Sequence, residues 1–173
     1  MSPTARQNIR LDDLDGLWDG LRDLQDYIHG NARNKGFHAG ADRLREARAA
    51  VEALPVTDVV KDLLRQTLDD AERDKVGNRL MLCVGELIEA HEEIRHGRAP
   101  GETYYIGKTT GKEYDTQSPL ALEKPEGVPS EIADTVIRCF DFAGEHGIDL
   151  AGIIREKMAY NETRDAMHGG KRF

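Results

Sequence analysis

Residues 80–96 constrain this chain most tightly. Leu82, Val84, Leu87 and Ile88 carry apolar side chains through a helical segment, and Glu86 and Glu89 stand among them. Three residues apart on an α-helix, the two carboxylates lie one above the other, about 60° apart around the axis. A helix of this content is expected to pack rather than stand in solvent. Two carboxylates among packed residues are costly until something neutralises them. A second segment, Ser130-Glu131-Ile132-Ala133-Asp134, repeats the spacing with Glu131 and Asp134. The helix that carries it has a core side of Ile132, Val136, Ile137, Phe140 and Ala143. Two such pairs on two apolar helices point to one shared cation. A single pair would say little, because glutamates at this spacing decorate many solvated helices.

Composition narrows the partners. The chain has 173 residues, enough for one domain with a real core, and the formal net charge is -8. That balance argues against nucleic acid, whose phosphates require a basic surface. It leaves room for a small anion held by a metal or a local basic cluster. Aromatic residues are sparse beside leucine, alanine and isoleucine, which favours helices. No apolar run approaches the roughly 20 residues that span a membrane. Met1 to Arg10 is polar, without an apolar signal core. The reading is a soluble, cytoplasmic protein with no membrane partner. Cys83 and Cys139 each fall in an apolar helical stretch and are expected to be buried, reduced thiols.

In order, residues 11–29 read as a helix, with Asp12 or Asp13 as its cap and Gly30-Asn31 at its exit. Asn34-Lys35-Gly36-Phe37-His38 breaks the pattern. A second helix runs from about Ala39 to Ala53, and Pro55 stops it. Thr57 is expected to cap the next helical stretch. Residues 57–96 read either as one long helix with a weak point at Gly77 or as two helices. From Gly97 to Gly127 glycine and proline rise. Thr103-Tyr104-Tyr105-Ile106 and Lys112-Glu113-Tyr114-Asp115 flank a glycine-rich turn, as in a small β-hairpin on a long insert of about residues 98–124. A loop of this length is either a functional lid or an ordinary surface insertion. Val128-Pro129-Ser130 opens the next helix, which ends at His146-Gly147, and Asp149 caps the last one. The expected fold is all-α, a helical bundle with a loop or hairpin insert, in a single domain over 1–173.

Two motifs fail on geometry. Gly107-Lys108-Thr109 resembles the end of a phosphate-binding loop, but the glycine required five positions earlier is Glu102. His91-Glu92-Glu93-Ile94-Arg95-His96 resembles a zinc-protease helix. Its histidines are five apart, about 140° around the axis, and cannot share a metal.

Four carboxylates without thiolate or imidazole make a hard oxygen site, suited to Mg2+ or Mn2+. Magnesium keeps open positions for water or phosphate oxygens, so such a site implies a phosphate-bearing partner. A spare carboxylate nearby could act as general base. Glu93, four residues after Glu89, lies on the same face and could extend the site. Lys157, Asn161 and Arg164 form one stripe of the last helix, and Lys171 and Arg172 follow Gly169-Gly170. A basic stripe of this kind complements a polyphosphate. It also suits a helix C-terminus with no ligand at all.

Taken in order, Glu86-x-x-Glu89, Glu131-x-x-Asp134, Lys157-x-x-x-Asn161-x-x-Arg164 and His168-Gly169-Gly170-Lys171 resemble the MazG-like all-α nucleotide pyrophosphohydrolases. Dimeric dUTPases and phosphoribosyl-ATP pyrophosphatases belong to the same superfamily. Gly85-Glu86-Leu87-Ile88-Glu89-Ala90, Lys124-Pro125-Glu126-Gly127-Val128 and Lys35-Gly36-Phe37 are similar to its local strings. The resemblance covers about residues 11–40 and 77–172. It implies a helical bundle assembling as a homodimer or homotetramer. It implies Mg2+-dependent hydrolysis of a nucleoside triphosphate to the monophosphate and pyrophosphate. Glu86, Glu89, Glu131 and Asp134 carry over as metal ligands, with Glu86 and Glu89 as the catalytic pair. Lys157, Asn161 and Arg164 carry over as substrate contacts, with His168, Lys171 and Arg172 behind them, and Lys35 and Phe37 near the base. The chain departs from the pattern in its long link between the acidic pairs. Gly85 stands where a serine is common, and Asp165-Ala166-Met167 replaces a proline and an aromatic before the His-Gly. Two other readings stand beside the hydrolase. One is a non-catalytic helical protein that binds nucleotide or assembles with a partner. The other keeps the fold and acts on a different phosphorylated nucleotide.

Overall fold

The computed structural model describes residues 14–118 and 123–164. Five helices and three short strands succeed one another in the order α1 (Asp15–Asn34), α2 (Ala39–Ala53), α3 (Asp58–Arg95), β1 (Tyr104–Gly107), β2 (Glu113–Tyr114), β3 (Glu123–Glu126), α4 (Val128–Glu145) and α5 (Leu150–Glu162). The fold is mostly helical. Asp12, Asp13, His168, Lys171 and Arg172 lie outside the described residues.

The first helix runs past Gly30, its expected exit, and stops at Asn34. Gly36 sets the stop. Its φ of 80° suits a residue without a Cβ. The Gly36 amide donates to the Arg33 carbonyl at 2.9 Å and the Phe37 amide to the Ala32 carbonyl at 3.1 Å, the paired bonds of a Schellman cap. Gly30 lacks such a cap and is carried within the helix. The second helix has the predicted bounds. Thr57 takes the N-cap position of α3, but its side chain makes no capping bond. Asp149 does cap α5, its carboxylate accepting from the Gly152 amide at 3.1 Å.

The stretch after Thr57 is one helix of 38 residues, about 57 Å long. Gly77 does not interrupt it. Its C-terminal half packs along α4, and α2 lies against its first half. Arg79 pairs with Asp141 and Glu145, while Glu86 pairs with Arg138. Ascending numbers on one helix meet descending numbers on the other, so α3 and α4 are antiparallel. The remaining helices complete the bundle, α1 on α4 and α5 on α1.

The insert holds more than the hairpin. The strands β1 and β2 pair as expected, Tyr105 opposite Tyr114. Glu123–Glu126 adds a third strand on the other side of β1, with Tyr105 opposite Pro125. Pro125 tolerates this place because an edge strand has amide positions with no ladder partner. The third strand leads directly into α4 through Gly127, whose φ is 97°. A Cβ there would come within 2.5 Å of the Glu102 carbonyl oxygen. The glycine thus lets the insert lie close against the start of α4.

The buried apolar core is small: Trp18, Ala32, Val51, Ala90, Val128, Phe140, Ala143 and Ala151. Buried beside it are Glu86, Glu131, Asp141 and His38. Leu80, Met81, Val84, Leu87 and Ile88 of α3 are exposed, as are Ile132, Val136 and Ile137 of α4. The packed face of α3 is therefore its polar one. The expectation that Leu82, Val84, Leu87 and Ile88 pack inside fails for the isolated chain. Cys139 is exposed as well, not buried as expected, and Cys83 is half-buried; both are free thiols. Among the described residues, no helix is long and apolar enough to cross a membrane.

One end of the α3–α4 seam is held by a closed polar network. Arg79 Nη2 donates to Asp141 Oδ2 at 2.5 Å, and the same guanidinium pairs with Glu145. His38, only 1% exposed, meets Asp141 Oδ1 through Nε2 at 2.8 Å. His29 reaches the same oxygen at 3.1 Å. Removing one member leaves buried charges unpaired. Arg79→Leu is expected to cost about 3–5 kcal/mol of unfolding free energy, read as a lower urea midpoint. An unchanged midpoint would show that the network is not a structural pin.

Candidate metal centre

The other end of the seam is not balanced in this way. Glu86 on α3 and Glu131 and Asp134 on α4 each bring a carboxylate oxygen within 4.8 Å of the others. Glu131 sits in the first turn of α4, placed there by Gly127, whose carbonyl accepts from the Glu131 amide at 3.2 Å. Asp134 comes one turn later on the same face. Glu86 and Glu131 are 6% and 4% exposed.

Two cations bear on this cluster. Arg138, one turn after Asp134, donates from Nε to Glu86 Oε1 at 2.5 Å. Lys124 of β3 pairs with Glu126 at 2.8 Å, and its charge also acts on Glu131 and Asp134. Neither removes the excess of negative charge. Burial pushes the Glu131 carboxyl up to about 7, reinforced by Glu89, opposed by Lys124, and raised further by Glu126 and Glu86. Asp134 is raised by burial and by Glu86, against Arg138 and Lys124.

The expected site residues do not all come together. Glu86, Glu131 and Asp134 converge. Glu89 is exposed and outside that trio, although its charge is the largest electrostatic influence on Glu131. Lys157 and Asn161 lie exposed on α5, but the helix ends at Glu162 and Arg164 lies beyond it, so the three do not form one helical stripe; Lys157 and Arg164 approach the Tyr160 ring at 5.4 and 6.0 Å. Lys35 is exposed at the end of α1. Glu93 is tied to the insert: Tyr104 Oη donates to its Oε1 at 3.2 Å. Its other oxygen is buried without a hydrogen-bond partner among the described residues. Arg98 stacks on the Tyr104 ring at 3.9 Å and fixes that contact from the far side.

Arg138 and Lys124 are not among the expected site residues, although Lys124 opens the Lys124-Pro125-Glu126-Gly127-Val128 string. Arg138 stands four residues after Asp134, a spacing that puts it on the same helical face. Lys124 gives no such signal, because its approach depends on a strand that the sequence did not announce.

The cluster has the chemistry of a hard divalent cation site. Its donors are all carboxylate oxygens, three from two helices, leaving positions for water or phosphate. No protein-family model, curated protein or solved structure matches the chain.

The raised Glu131 sets a sign for pH dependence. In the folded chain this carboxyl keeps its proton up to about pH 7, while the unfolded chain releases it near about pH 4.3. Between these values the folded state binds more protons, so stability falls as pH rises, and above about pH 7 the full penalty remains. A cation relieves the penalty only where the carboxylates are ionised. Mg2+ is therefore expected to raise the melting temperature more at about pH 8 than at about pH 5. An equal rise at both would detach the stabilisation from this cluster.

Proposed function

We propose that this chain is a MazG-like nucleoside triphosphate pyrophosphohydrolase, dependent on Mg2+ or Mn2+ and working as a homodimer or homotetramer. The observation that carries the reading is the convergence of Glu86, Glu131 and Asp134 at a helix seam that leaves their charge unbalanced. The order of the motifs along the sequence supports it.

Glu86, Glu131 and Asp134 would hold the cation, with Glu89 one turn beyond Glu86 as a further ligand. Bound there, a divalent cation supplies neutralisation of the triphosphate and a more acidic water. Water attacks the α-phosphorus. The new P–O bond replaces the one to the bridging oxygen, and pyrophosphate leaves. The proton released by water needs an acceptor. Glu93 offers a carboxylate oxygen with no hydrogen-bond partner among the described residues, one turn from Glu89. With Glu86 serving as a metal ligand, the Arg138 guanidinium that now pairs with it would be available to phosphate oxygens. Lys124 stands on the opposite edge as a second phosphate contact.

The exposed apolar faces of α3 and α4 support assembly. Leu80, Met81, Val84, Leu87 and Ile88 form one exposed apolar stripe, the kind of surface that marks an interaction site. A second copy of the chain would cover it.

With Mg2+ or Mn2+, the purified protein is expected to release pyrophosphate from at least one common nucleoside triphosphate. Glu86→Gln should lower kcat by at least about 100-fold, with helicity kept. No pyrophosphate from any of the common nucleotides, or a Glu86→Gln variant as active as the native chain, would overturn the reading.

A further inference from the structure

A cavity of about 520 Å3 opens beside the metal centre, between α1, α3 and α4. Its volume is that of a small-ligand site. Asp134 and Arg138 form the end that joins the carboxylate cluster. A ligand seated here would therefore have one end at the metal centre.

Other parts of the wall have a different character. Tyr27 and Phe37 border the cavity although they are 73% and 74% exposed. Two aromatic faces in contact with solvent at a cavity mouth are suited to stacking on a flat ring. Asn31 and Asn78 add two carboxamides. Each can donate and accept a hydrogen bond. The Lys75 chain forms another part of the wall. Its ammonium nitrogen is buried and makes no hydrogen bond to the described residues. Glu145 offsets its charge at a distance, but none of its three donors is satisfied. A buried donor in that state calls for an acceptor. The ammonium now lies against Gly40 of α2, 3.4 Å from where a Cβ there would stand, and would reach a cavity ligand by rotation about the last bonds of the lysine chain.

Resting on the nucleotide reading, we propose that this cavity takes the base and selects rings that bear a carbonyl. These are the 4-oxopyrimidines and 6-oxopurines, with Lys75 as the selecting residue. Lysine has donors and no acceptor. It matches the oxygen at that ring position and opposes the amino group that cytosine or adenine presents there. An oxo base also carries a ring N–H next to the carbonyl. The carboxamide oxygen of Asn31 or Asn78 is the complementary acceptor. A site built to hydrogen-bond one such group rejects the analogue that lacks it more strongly than an apolar pocket rejects a change of size.

A lysine retained only as a counter-ion to Glu145 would leave base choice untouched, and that difference is measurable. The probes are the product-like monophosphates dTMP, dUMP and dGMP against dCMP and dAMP. Binding is read by titration calorimetry in the presence of a chelator, so that turnover plays no part. The native protein is expected to bind the oxo bases at least about tenfold more tightly. Lys75→Met should bring the two groups to within about twofold, with the melting temperature held or raised because a buried unsatisfied donor is gone. Equal affinities in the native protein, no binding of any monophosphate, or a preference that survives in Lys75→Met would each overturn the proposal. The native comparison decides it even where a variant does not fold. Pyrophosphate release from all bases alike, with no preference in binding, would sink this inference and leave the hydrolase standing. A preference in binding with no release from any triphosphate would do the reverse.

Discussion

The seam between α3 and α4 is lined with charge, and the rest of the chain is arranged around that fact. Five carboxylates face it: Glu86, Glu131, Asp134, Asp141 and Glu145. Arg79 and Arg138 enter it as cations. Their distribution is uneven. Arg79, His38 and His29 close a network at the Asp141 and Glu145 end, and Lys75 stands near it without joining it by a hydrogen bond to the described residues. Arg138 alone pairs within the other trio, with Lys124 at its edge. One end is a structural pin and the other an electrostatic deficit. Buried charges without partners are too costly to persist as decoration. The deficit is the physical basis for the proposed cation, and the pin ties α3 to α4 at the other end of the seam.

Turning the polar face of a long helix inward has a consequence on the other side. The apolar residues of α3 that a soluble helix would bury point to solvent instead, and those of α4 do the same. Among the described residues, half of the buried apolar core is alanine, with Trp18 and Phe140 as its large members. The proposed second copy would supply the apolar burial that one chain lacks. The proposed metal centre and the proposed assembly thus arise from one packing choice.

The pair of Glu131 and Asp134 was readable because helical spacing is local, but the same spacing did not bring Glu89 to the seam with Glu86: the one is exposed and the other buried. The second helix and the Asp149 cap were readable for the same reason. Three features were not. The end of α1 turned on a competition between two glycines, and Gly36 won because its backbone conformation completes a cap. The strand at Glu123–Glu126 has weak β character and a proline, and pairs only because β1 is already there. The inward direction of Glu86 could be inferred from its apolar neighbours only by assuming that those neighbours also face inward. They do not. Helical periodicity fixes which residues share a face, and it leaves open which face is buried. The cavity was equally hidden, since its walls come from three helices far apart in sequence. Of its aromatic border, Phe37 alone is marked in the sequence, by the Lys35-Gly36-Phe37 string.

The central claim is that the trio of Glu86, Glu131 and Asp134 holds a divalent cation. Titration of the purified chain with Mn2+, followed by electron paramagnetic resonance of the free ion, counts the bound cations directly. The account predicts saturable binding in the native protein that Mg2+ displaces, and its loss in Asp134→Asn with the helical content unchanged. Binding that is absent in the native protein, or that is undiminished in Asp134→Asn, would contradict it.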